Sequence, residues 1–282
     1  MTEVSNSIKP GSALHRYLLE EARQGTQILH ETSLFDPATG GPQLAAIEAV
    51  TLPCMGQQEL GLPAEINLVV FWGLKAGVAH EALGNLLAAR AWYQAGQYIW
   101  RNEAHFNEWA NKPAMEVPIE ERDEPAIWQE MAGLCAALLG DSDRATNLFT
   151  WSGQNYALSE PEMDRLEADR AYQTVWQNLG FQVFSLAWLG CWDEIIPLVE
   201  RGWRLIAKTR QAGHPRQFRE PQILIAIVAA LAGYFRQQDE QTLIAARAAL
   251  RVNTLPDNNP HTRANLLPYL WSLRRRYVNL AT

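Results

Sequence analysis

Cysteine is scarce in this chain of 282 residues, and its three copies, Cys54, Cys135 and Cys191, lie far apart. No C-x-x-C pair and no Cys/His ligand spacing occurs, which excludes a disulfide framework and the common zinc sites. Cys135 and Cys191 fall in apolar helical stretches with nothing basic beside them, so all three read as reduced, inert thiols. Long apolar runs are missing too. The longest, Ile223 to Phe235, is too short to cross a bilayer, and Lys75 interrupts the candidate near Val69–Trp72. The opening residues, MTEVSNSIKPGS, are polar, so no export segment is expected. A cytoplasmic protein away from membranes is the expectation.

Catalytic signatures are also lacking. There is no Gly-rich phosphate loop, no G-x-S-x-G and no dinucleotide fingerprint. The only near His/carboxylate groupings are His80-Glu81, Glu103-x-His105 and His105-x-x-Glu108. Glu103 and His105 would lie about 200° apart around a helix, and His105 with Glu108 supplies only two ligands. Asp141-Ser142-Asp143 has no twelve-residue calcium loop after it and reads as a helix cap. No metal and no cofactor is expected. Basic residues are outnumbered, 24 Lys and Arg against 31 Asp and Glu, for a net charge of −7. Such a chain repels phosphate backbones, so nucleic acid is not an expected partner and a basic protein is. The one concentrated basic run, Arg274-Arg275-Arg276, reads as a complement to a helix C-terminus.

Helical periodicity is what the chain has in abundance, and strand patterning is nearly absent. An amphipathic stretch over 12–33 and a short helix at 43–50 are separated by loops rich in Pro and Gly. Residues 1–63 therefore read as an irregular N-terminal cap, and 64–282 as one continuous helical-repeat region. Within it the spacing predicts helices at 64–79, 81–95, 98–110 and 125–139, with a loop over 111–124. A capping box, Ser159-Glu160-Pro161-Glu162, predicts the start of a helix running to about Leu189. Its second half is apolar nearly all round, so it should be buried. Helices at 192–213, 219–235, 239–252 and 262–280 complete the set. Gly96, Gly140, Gly190 and Gly233 recur at intervals of roughly 40–50 residues, each at the expected end of an apolar helix. A fixed period of that length predicts stacked helical hairpins, since one hairpin cannot bury its apolar face alone.

Two groups of residues carry a family resemblance. Trp176-Gln-Asn-Leu179-Gly180 reads W-x-x-L-G, and Gly133, Ala145 and Phe149 sit around Gly140 at small-residue and A-x-x-x-F offsets. Over about residues 81–250 the chain thus resembles the tetratricopeptide repeats. The resemblance implies an all-α fold of stacked antiparallel helical hairpins, a tetratricopeptide-like α-solenoid, and names no ligand.

The tryptophans number eleven, and Trp72, Trp92, Trp128, Trp176, Trp188, Trp192 and Trp203 fall on apolar helix faces as packing elements. Two candidate sites remain. The acidic cluster Glu120, Glu121, Asp123 and Glu124 is the densest in the chain and suits a basic partner. Trp100, Arg101, His105, Glu108 and Trp109 share neighbouring helix faces and suit an aromatic-lined pocket. The leading expectation is a non-catalytic protein-binding protein, of the adaptor kind or the kind that neutralises a basic toxin as immunity proteins do. The competing expectation is an all-α enzyme or regulatory domain built around the Trp/His pocket.

Overall fold

The computed structural model describes residues 70, 73–78, 80, 81, 84–102, 104–118, 121–211, 219–238, 240, 244, 245 and 261–278. The expected helices at 12–33 and 43–50, the boundary at residue 63 and most of the helix at 239–252 lie outside them. Among the described residues there are helices and no strands. The principal helices are α1 (Leu86–Asn102), α2 (Ala104–Ala110), α3 (Asp123–Leu139), α4 (Ser142–Tyr156) and α5 (Glu160–Ala168). They are followed by α6 (Tyr172–Leu189), α7 (Trp192–Gln211), α8 (Arg219–Phe235) and α9 (His261–Val278).

Local chemistry explains where several of these begin and end. Gly140 and Gly190 stand at φ +84° and +81°, the left-handed conformation that closes a helix cheaply only when no Cβ is present. Asp141 restarts the chain at once, its carboxylate accepting from the Arg144 N–H at 3.3 Å. Ser159 and Glu162 form the reciprocal capping box at the start of α5.

Two helix boundaries and the role of one glycine differ from expectation. Helix α1 runs straight through Gly96, whose missing Cβ lets the Cys135 sulfur approach to 3.3 Å of where it would sit. Helix α8 spans the expected 219–235, so Gly233 lies inside it rather than at its end; Gln237, at φ 56°, takes the left-handed position while the Gln238 N–H donates back to the Gly233 carbonyl. The stretch from Ser159 to Leu189 is two helices, because Arg170 adopts φ 60° and the chain turns before Tyr172. The segment 111–124 is also less of a loop than its prolines suggest: Ala114–Glu116 is a 3-10 turn and α3 begins at Asp123.

Packing follows the hairpins. Near the Gly140 turn, Gly133 of α3 admits the Phe149 ring of α4, while at the far ends Ser152 bonds the Ala126 carbonyl and Tyr156 reaches Glu130. These pairings run in opposite directions along the two chains, so α3 and α4 are antiparallel. Phe149 and Gly153 then meet Phe184 and Ser185, setting α4 against α6. Gly180 lies against Pro221, where a Cβ would stand 2.8 Å from the proline ring, and Gly202 lies against Ile225. Gly180 of the W-x-x-L-G motif therefore sits at the junction of α6 with α8, and Trp176 and Leu179 of the motif are buried. Helices α3 and α6 are central: α3 is buried from Ala126 to Leu138 apart from Ile127, which is 40% exposed. The last helix, α9, returns to pack on α3, α6 and α8.

Candidate functional site

The acidic cluster maps to the approach to α3. Glu120 lies outside the described residues, and Glu121 is exposed. Asp123 and Glu124 occupy the first turn of α3, where the partial positive charge of the helix end favours carboxylates. The aromatic candidates map to α1 and α2. Arg101 and Glu108 are exposed, and Trp109 is half-buried with the Lys112 ammonium 4.7 Å from its ring centre. Trp100 sits in the last turns of α1 and His105 in the first turn of α2. No group of three or more His, Cys, Asp or Glu able to hold a metal occurs among the described residues. No described helix is long and apolar enough to cross a membrane.

An open concavity lies elsewhere, between α7 and α8. It is a cleft of about 230 Å³. Ile195, Val199 and Trp203 follow one another at four-residue steps and so share a face of α7. Opposite them, α8 presents Ala229, Ala232 and Gly233, which are too small to fill the space. Ile244, 59% exposed, closes one side. Its charged lining is one acid and one base, Glu200 and Arg236. Glu200 is exposed, and Arg236 pairs with Asp193 at 3.5 Å. Asp193 is 90% exposed, and such a pair contributes little in water.

Two polar assemblies, one buried and one partly exposed, link helices in ways the sequence does not announce. Glu130 is enclosed in α3, accepting from the Tyr156 hydroxyl at 2.6 Å on α4 and from the Tyr269 hydroxyl on α9. Burial pushes its carboxyl up to about 7, and the two tyrosine hydrogen bonds restrain a still larger rise. Beside it, Gln129 accepts from Asn155 at 2.8 Å and donates to the Lys112 carbonyl at 2.7 Å. The second assembly ties α5 to α7. Arg201, 7% exposed at its side chain, meets Glu160 at 2.5 Å, Asp164 at 2.7 Å and Glu167 at 2.8 Å. Lys208 also reaches Glu167. Both assemblies tie one helix to another.

The two described thiols differ in reach. Cys135 is fully buried beneath α1, and burial pushes its thiol up to about 12. Cys191 is half-exposed, its thiol raised by desolvation and by Glu194 beside it. We expect Cys135 to label with a maleimide only after unfolding, and Cys191 to label in the native protein more slowly than a free thiol. Rapid native labelling of Cys135, read by mass spectrometry of its peptide, would show that α1 opens away from α3.

No family model matches the chain, and neither a curated protein nor a solved structure matches it.

Proposed function

We propose that the protein is a non-catalytic binding protein whose partner is basic, with the α7–α8 cleft as the contact. The observation that carries this reading is an open apolar cleft with the exposed carboxylate of Glu200 at its edge. A bulky apolar side chain fits against Val199 and Trp203, and a flanking Lys or Arg meets Glu200. The net charge of −7 adds long-range attraction for a partner of opposite sign, which speeds encounter more than it tightens the complex. Such a partner fits either an adaptor or a toxin-neutralising role. A tetratricopeptide-like hairpin stack would suit the reading as well, because repeated helical hairpins present extended surfaces.

The experiment is affinity capture from the native cell with two baits. Ala229→Trp fills the cleft from the half-exposed face of α8 and should leave the fold intact. A basic protein recovered with the wild-type chain is expected to be lost, or reduced by at least about tenfold, with the filled variant. Equal recovery by both baits would move the interface away from α7 and α8.

A further inference from the structure

The last helix does not extend the stack of hairpins. It lies parallel to α3 and α6, with its contacts in step along both. Tyr269 meets Glu130 on α3 and Phe184 on α6, and further along Arg275 and Tyr277 meet Leu138 and Ala187. Leu266, Tyr269 and Leu273 are buried and Tyr277 half-buried, the three- and four-residue spacing by which an amphipathic helix seats in a groove.

Its polar anchors address helix ends. The Arg275 guanidinium donates to the Leu138 carbonyl, and the Tyr277 hydroxyl donates to the Ala187 and Trp188 carbonyls. These carbonyls belong to the last turns of α3 and α6, where intrahelical partners run out and the dipole attracts cations. Arg275 also pairs with Glu81 at 2.6 Å, and Arg276 lies 4.8 Å from the Trp188 ring centre. The basic run that suggests a dipole complement in the sequence is thus a clamp onto the body.

Charge separates the helix from the rest. α9 carries Arg263, Arg274, Arg275 and Arg276 and no acid. Elsewhere 20 Lys and Arg face 31 Asp and Glu, a balance of −11. A basic amphipathic helix therefore sits on an acidic body. Two features weaken its seat. Pro268 removes a backbone donor inside the helix, and Glu130, which Tyr269 engages, pairs with no cation among the described residues.

We propose that the face formed by α3, α6 and α8 is a receptor for a basic amphipathic helix of a partner protein, and that α9 is its resident, displaceable occupant. The competing helix carries an aromatic at the Tyr269 position, an apolar residue four places on, and Arg or Lys at its C-terminal end. This goes beyond the cleft between α7 and α8, since the seat lies beneath α9.

The probe is a fluorescein-labelled peptide of residues 261–278, titrated into the full-length chain. Wild type should take it up weakly, because a tethered α9 competes at high effective concentration. Full-length Tyr269→Ala/Arg275→Ala, with α9 weakened, should bind it at least about tenfold more tightly. A peptide with Arg274, Arg275 and Arg276 changed to Glu should bind neither. A helical, cooperatively melting variant that takes up no peptide would overturn the proposal, as would equal uptake of the charge-reversed peptide. If the double variant does not fold, hydrogen exchange on wild type decides. The α9 amides should exchange at least about tenfold faster than those of α3 and α6, and equal protection would make α9 a fixed core element. Either failure leaves the capture experiment with Ala229→Trp unaffected, so the two readings fall separately.

Discussion

Phe149→Ala is expected to destabilise the fold by about 3–5 kcal/mol. Phe149 is fully buried where three helices converge. Its ring fills the notch left by Gly133, meets Phe184 edge-on at 5.3 Å and lies 5.0 Å from Trp188. Removing it empties a site that backbone glycine on one side and rigid aromatics on the other cannot collapse to fill. The midpoint of thermal unfolding, followed by circular dichroism, should fall by roughly 10 °C or more. A shift of only a degree or two would mean that α3, α4 and α6 do not meet at this residue.

Glu130→Gln is expected to stabilise the protein at high pH and to do little at low pH. The wild-type carboxyl titrates near 7 in the fold against an ordinary 4.5, so the folded state binds the proton more tightly than the unfolded chain. Its contribution is therefore most favourable below the ordinary value, declines as pH rises toward 7, and stays unfavourable above. At about 1.4 kcal/mol per unit, the penalty above pH 7 is on the order of 3 kcal/mol. Glutamine keeps acceptor and donor atoms for Tyr156 and Tyr269 without a charge to bury. Denaturant melts of both proteins at pH 5 and pH 8 check this, since other titrating groups cancel in the difference. A variant-minus-wild-type difference that is the same at both pH values would contradict the buried, uncompensated carboxyl.

What is legible in the sequence is local. The Gly140–Asp141 junction and the Ser159 capping box are decided by side chains bonding to backbone within a few residues, and both form as their residues predict. Gly96 and Gly233 are ambiguous, because a glycine serves either positive φ or close approach, and only the neighbours decide which. Gly96 is there for Cys135. The break after Ala168 has no glycine or proline to announce it, and Arg170 takes the left-handed conformation itself. Arg201 is hidden for another reason. Its acidic partners at 160, 164 and 167 look like the solvated face of a helix until α7 is laid against them. Glu130 does leave a trace, as a charged residue in the middle of a helix otherwise buried nearly all round, although its partner on α9 is 139 residues away. The α7–α8 cleft leaves none: small residues on one helix opposite large ones on another are visible only once the pair is docked.

The most direct test of binding through the cleft is hydrogen–deuterium exchange on the complex with the captured basic partner. Exchange should slow over residues 195–203 of α7 and 229–235 of α8, lining the cleft, with the effect weakening as salt screens the chain's net negative charge. Protection confined to residues 104–124, around the other acidic and aromatic candidates, with α7 and α8 unchanged, would contradict it.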